Sequence, residues 1–318
     1  MPAAIDNMAY VNEVPWHGLG NQLTDNADID QWRIDAGLNW EAKKSDMMYE
    51  TEGGNLYYET AKQVIYRSDT EAWLGVVSPN FKIVQPAEVM EFFRDLTELG
   101  KFKMETAGSL FGGKKIWALA RHNKQAKLPG NDVVKPYLLL ATGMDGSLAT
   151  NAQFTTVRVV CNNTLQMALS RSHGHVRVTH RGTFYENEVK AELGLMDEEF
   201  SLFTEYANKL AEKKVTSQAE RMDYFARVFN PNYEELSLDD QSEYLELPTI
   251  QQVADVYEKF PGQSLKSAAD TAWGLVNGVT AYLDHVRNTQ TVDARLNSAW
   301  FGNGADLKER ALHLAMEL

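Results

Sequence analysis

Apolar positions change rhythm near residue 185. Before it they come in short alternating runs separated by polar or glycine turns, and after it they step by three and four. Alternation marks strands with one buried face, and the three-four step marks a helix stripe. A short helical pattern covers Ile29 to Ala36. Met47-Met48-Tyr49 and Leu56-Tyr57-Tyr58 flank Glu52-Gly53-Gly54-Asn55 and read as a hairpin. Val64-Ile65-Tyr66 and Trp73-Leu74-Gly75-Val76-Val77 bracket the turn Ser68-Asp69-Thr70 as a second strand pair. Pro86 opens a helix with apolar positions Val89, Phe92, Phe93 and Leu96, and Gly100 lies past its end.

The next hairpin joins Phe102–Leu110 to Lys115–Arg121 through Gly112-Gly113, a pair suited to the positive φ of a tight turn. Alternation puts Lys115, Trp117, Leu119 and Arg121 on one face of its second strand, and Ile116, Ala118 and Ala120 on the other. Val133 to Ala141 reads as a strand and Met144-Asp145-Gly146-Ser147 as a turn. Across 154–170, Val157, Val160, Cys161, Thr164, Leu165, Ala168 and Leu169 step by three and four, which predicts a helix despite the β-branched run Thr155 to Val160. A short strand, His175 to Thr179, follows.

Beyond residue 185, Val189, Leu193, Met196, Phe200, Phe203, Ala207 and Leu210 form a three-heptad seam that predicts a long helix. An acidic connector covers 230–247, and helical patterns resume at 249–259, 265–287 and 304–317. The expected class is α+β: an antiparallel sheet with helices in the N-terminal and central region, followed by a mainly helical C-terminal region. The expected organisation is an N-terminal segment (1–61), an α+β basic core (62–185) and a helical acidic region (186–318). There is no internal repeat.

Charge adds a second division. The net charge is −13, which argues against an anionic partner until its distribution is read. Residues 101–181 hold twelve Lys and Arg against Glu105, Asp132 and Asp145, while the rest holds nineteen against forty-one, so the two parts carry +9 and −22. Segregation of this kind points to an anion-facing surface on a body that otherwise repels anions.

Other chemistry fares less well. The single cysteine, Cys161, excludes an intrachain disulfide framework and a thiolate metal cluster. His173 and His175 share a strand face, His180 points away from them, and no carboxylate lies between, so a metal site is not expected. Gly112-Gly113-Lys114-Lys115 lacks the hydroxyl residue of a phosphate-binding loop and feeds a strand, so nucleotide hydrolysis is not expected either. No catalytic residues, cofactor or enzyme activity are expected. No apolar run reaches the length of a membrane-spanning helix and Met1 to Asp6 do not begin a secretion signal, which together lead to the expectation of a cytoplasmic protein away from membranes.

The basic stretch matches the recipe for single-stranded nucleic acid, a cationic groove with aromatic faces for stacking. The candidate residues are Lys114, Lys115, Trp117 and Arg121 on the hairpin, with Arg158, Arg171, Arg177 and Arg181 beyond it; Phe81 is a second stacking candidate, and core packing is the competing reading of Trp117.

Four motifs, Val14-Pro15-Trp16-His17-Gly18-Leu19-Gly20, Ala107 to Trp117, Arg158 to Leu165 and Ser298-Ala299-Trp300-Phe301-Gly302, resemble the phage/plasmid-like proteins grouped as a domain of unknown function. That resemblance implies a role in the DNA life of a mobile element and supplies no catalytic residues. The element order over 62–180 is similar to the core of phage single-strand annealing recombinases of the RecT, Redβ and Erf type. This second resemblance implies a homo-oligomeric ring or filament on single-stranded DNA that anneals complementary strands, in DNA recombination, without ATP. The alternative is a protein-binding or counter-defence factor whose acidic surface mimics DNA, motivated by the −22 outside the basic stretch.

Overall fold

A computed structural model describes residues 5–11, 20–98, 101–158, 163–166, 175–178 and 196–318. They form an α+β fold: two antiparallel-rich sheets, with most helices in the C-terminal half.

The smaller sheet is a meander of β3 (Ala42–Glu50), β4 (Leu56–Arg67) and β5 (Trp73–Val77). The two strand pairs expected from the sequence are therefore one sheet sharing β4. That strand spans residues 61 and 62, so the expected N-terminal segment and basic core have a strand in common. The β3–β4 register breaks between Asp46 and Met47, and β5 pairs only with residues 63–66, so beyond the break the hairpin continues as a two-stranded arm.

The larger sheet contains β1 (Ile5–Tyr10), β2 (Asn21–Gln22), β6 (Phe102–Leu110), β7 (Lys115–His122), β8 (Ala126–Leu128), β9 (Asp132–Gly143), β10 (Thr150–Arg158), β11 (Asn163–Gln166) and β12 (His175–Val178). Its order is β11-β10-β9-β7-β6-β1-β2, with β12 also pairing β10 and β8 also pairing β9. The β6–β7 hairpin turns where expected, and Gly112 and Gly113 take φ of 73° and 95°.

The helix expected over 154–170 is not formed. Residues 150–158 are a central strand paired in register with β9, and 163–166 return as β11. Thr155 and Thr156, neighbours on opposite faces, are both buried. A strand buried on both faces carries side chains suited to the interior at nearly every position, and such a run contains three-four spacings by default. The β-branched Thr155-Thr156-Val157 was the better signal. Cys161 lies outside the described residues.

The helices are α1 (Ile29–Asp35), α2 (Pro86–Glu98), α3 (Met196–Glu212), α4 (Gln218–Phe229), α5 (Leu238–Leu245), α6 (Pro248–Lys259), α7 (Ala272–Ala281), α8 (Val292–Phe301) and α9 (Asn303–Glu317). Asp28 and Ser217 cap α1 and α4 by accepting from backbone N–H groups three residues on. The acidic connector contains α5, capped in the same way by Ser237. The helix expected over 265–287 starts later, at α7, because Thr271 is extended and accepts from the Gly274 N–H at 3.1 Å. It ends in a π-helical turn, Tyr282–Val286.

One face of the larger sheet, with Ile116, Ala118, Leu138, Leu140 and Phe154, belongs to a continuous core that includes Phe92 and Phe93 of α2, Phe203 of α3 and Trp273 of α7. The opposite face, with Trp117, Leu119, Tyr137 and Leu139, packs with Leu296 and Trp300 of α8. Each sheet face is thus committed to helices along much of its length, and polar function is confined to the ends.

Candidate nucleic-acid interface

Strand register decides which cations meet. Lys103 of β6 lies opposite Arg121 of β7, and Arg121 lies opposite Tyr137 of β9. Lys135, two residues before Tyr137, shares its face. Lys101 precedes β6 and Lys124 follows β7 at the same end of the hairpin. Together with His122 these five cations line a cleft of about 310 Å³ whose lining contains no carboxylate. Lys101, Lys103 and Lys124 are exposed, whereas Arg121 and Lys135 are half-buried.

Contacts within the lining and just behind it order the cleft. His122 is buried, meets the Phe102 ring edge-on at 5.0 Å, and accepts the Lys124 N–H at Nδ1 over 3.3 Å. Glu105 accepts the Tyr137 hydroxyl at 2.6 Å and stands 3.6 Å from Arg121 Nε. Glu105 therefore pulls Arg121 toward the sheet and offsets part of its charge, while Lys101, Lys103 and Lys124 remain exposed to solvent.

The expected site residues are divided between the two ends of the sheet. Arg121 is in the cleft. Lys114 and Lys115 sit at the opposite end of β7, roughly 20 Å away at about 3.4 Å per strand residue. There Lys114 Nζ lies 4.2 Å above the Trp73 ring, and Lys115 Nζ donates to Asn297 Oδ1 at 2.5 Å. Burial pushes the Lys115 pKa below the ordinary lysine value, with the Asp145 charge opposing. Both cations are tied to neighbouring elements.

Trp117 is a correction. Its side chain is 2 % exposed and covered by Trp300, so no base can stack on it; alternation gave its face correctly, and α8 covers that face. Phe81 is likewise buried in the core. Arg158 ends β10 beside Val134, at the cleft end of the sheet, and Arg177 lies on β12 opposite Asn151; their side chains, and Arg171 and Arg181 entirely, lie outside the described residues.

Sequence reasoning missed Lys101, Lys103, Lys124 and Lys135, although all four belong to the +9 stretch. The available signal was strand parity: a hairpin of known turn places Lys103 across from Arg121.

Among the described residues no group of three His, Cys, Asp or Glu could hold a metal ion, and no helix is long and apolar enough to cross a membrane. Positive potential at one sheet end is the chemistry this region offers, and with the fold it is what can be set beside known proteins. A family model described as "Domain of unknown function (DUF932)" matches residues 73–300, and the chain belongs to that family. No curated protein and no solved structure matches it.

Proposed function

We propose that the chain binds the sugar-phosphate backbone of single-stranded DNA in the cleft formed by Lys101, Lys103, Arg121, Lys124 and Lys135. The observation that carries this reading is the convergence of five cations, from segments up to 34 residues apart, on a cleft whose lining has no carboxylate. On a body with a net charge of −13 such a spot focuses an anionic ligand and leaves the remaining surface repulsive to it. A cleft of about 310 Å³ has room for a stretch of sugar-phosphate backbone. Its two aromatic rings, Phe102 and His122, are buried, so binding rests on phosphates and has little base preference. Strand annealing without ATP in the DNA life of a mobile element is the activity that suits this mode, because a protein that holds phosphates leaves base edges free to pair.

The test is fluorescence anisotropy with a labelled oligonucleotide across a salt series, beside a fluorescence-transfer assay of complementary-strand annealing. About five neutralised phosphates give a slope of log affinity against log salt near −3.5. Lys103→Glu with Lys124→Glu weakens binding more than about tenfold at low salt, while Lys114→Ala leaves it unchanged. Absence of binding at low salt, or equal binding by the charge-reversed variant, overturns the reading.

A further inference from the structure

The two-stranded arm beyond the break at Asp46 has no use in the cleft chemistry and is built unlike a finished surface. Tyr49 and Tyr57 stack across it with ring centroids 5.6 Å apart, and Met48, Leu56 and Tyr58 are 51 %, 64 % and 69 % exposed. A two-stranded hairpin is marginal alone, and clustered exposed apolar side chains mark a surface that is covered in use. Its charge says by what. Between residues 45 and 61 there are four carboxylates, Asp46, Glu50, Glu52 and Glu59, and no Lys or Arg. An arm of this sign repels DNA despite its aromatics, and seeks a cationic surface.

The small sheet that carries the arm is anchored at the end of the β6–β7 hairpin away from the cationic cleft. The base of the small sheet is anchored at the β6–β7 turn, where Arg67 Nη1 donates to Gly112 O at 3.4 Å and its guanidinium lies 4.5 Å above Trp40. The cleft is at the other end of the same hairpin, about 25–30 Å away over nine strand residues of β6. The arm lies on no sheet face, since most of its side chains in both strands are exposed.

We infer that the acidic arm, Met47–Glu59, docks into the basic cleft of a second copy of this chain, so that copies join head to tail and the arm competes with nucleic acid for the cleft. This rests on the reading of the cleft as an anion site. Unlike surfaces give a heterologous contact, which repeats until it closes as a ring or continues as a filament. The apolar rings supply burial that a phosphate backbone lacks, and the arm's three carboxylates, Glu50, Glu52 and Glu59, replace phosphates opposite the lysines.

Sedimentation velocity on the full chain, without nucleic acid, tests it with two charge-neutralised variants. One carries Glu50→Gln, Glu52→Gln and Glu59→Gln in the arm; the other carries Lys103→Gln and Lys124→Gln in the cleft. The unaltered chain forms species larger than a dimer at low salt, and salt disperses them. Each variant alone is monomeric, and an equimolar mixture forms a one-to-one complex, because only one arm and one cleft remain intact. A monomeric unaltered chain, an arm variant that associates as the unaltered chain does, or a mixture that stays monomeric overturns the inference. Oligonucleotide affinity is read separately on the arm variant, whose cleft is intact. Binding there without self-association in the unaltered chain sinks the docking alone, and self-association without oligonucleotide binding sinks the nucleic-acid reading alone. Thermal unfolding of both variants checks that these exposed substitutions leave the fold in place.

Discussion

Trp117 on β7 and Trp300 on α8 meet edge to face, with ring centroids 4.9 Å apart and planes at 67°. This contact joins the central strand to a helix more than 170 positions later, in a cluster that also holds Leu139 and Leu296. Two further contacts reinforce the junction: the Phe111 N–H donates to the buried Asp293 at 2.5 Å, and Lys115 donates to Asn297. The helix α8 therefore closes the sheet face on which Trp117 was a stacking candidate, and core packing, the competing reading, is what the burial of Trp117 supports.

Two buried tryptophans respond differently to loss of their indole nitrogen. Trp117 Nε1 has no hydrogen-bond partner among the described residues, whereas Trp273 Nε1 donates to the buried Asp132 at 3.2 Å. Trp→Phe removes similar volume at both, so Trp273→Phe is the costlier change by about 1–2 kcal/mol, from the donor taken away from a buried carboxylate. Trp117→Ala costs about 3–5 kcal/mol. Urea unfolding of the three variants checks the order, and equal costs for the two phenylalanines contradict it.

Glu105 restrains the cleft. Glu105→Gln keeps an acceptor for the Tyr137 hydroxyl and removes the negative charge beside Arg121. Oligonucleotide affinity rises about two- to fivefold at low salt, and the gain shrinks as salt rises, because the pair is partly exposed and screened. Anisotropy titrations of the variant read this directly; an unchanged or lower affinity contradicts it.

How much of this was legible depends on how local each signal was. The β6–β7 hairpin, α2 and α6 follow from turn residues and periodicity within a dozen positions, and they lie where expected. The 154–170 segment did not, because its structure is decided by β9, which pairs with it across the sheet, and periodicity within the segment carries no trace of that partner. The site divides in the same way. Arg121 and the charge excess were visible, but assigning Lys114 and Lys115 to the same surface ignored that a strand separates its two ends. The burial of Trp117 depends on a helix near the other end of the chain.

In α7, Gly274 and Gly278 are buried one turn apart but have unequal room. A Cβ on Gly274 falls 1.9 Å from the Ala268 carbonyl oxygen, a backbone atom held by the turn that caps the helix, while on Gly278 it comes 3.0 Å from the Tyr257 Cβ. Gly274→Ala forces the backbone apart and costs more than about 3 kcal/mol, and Gly278→Ala costs less, about 1 kcal/mol. Soluble yield and denaturant midpoint rank the two, and a Gly274→Ala chain of unaltered stability contradicts the packing.

Lys308 of α9 and Asp284 of the π-helical turn form an ion pair in the interior, where Lys308 is 2 % exposed and also donates to the Ala299 carbonyl at 3.3 Å. Lys308→Met leaves the carboxylate buried without its cation and costs about 3–5 kcal/mol; adding Asp284→Leu recovers most of that loss. The pair also sets a pH dependence. Burial pushes the Lys308 pKa below its ordinary value of 10.5, with Asp284 opposing. Between the lowered folded value and 10.5 the unfolded chain binds more protons than the folded one, so this group's contribution to stability rises with pH through that window. Tyr224 pulls the other way near the top of it, since burial raises its pKa and its unfolded form ionises first. Comparing the unaltered chain with Asp284→Leu/Lys308→Met at each pH cancels the tyrosine. Urea unfolding from about pH 8 to about pH 10 shows the unaltered chain gaining stability relative to the double variant, and a relative loss across that range means that Asp284 outweighs burial and holds Lys308 protonated.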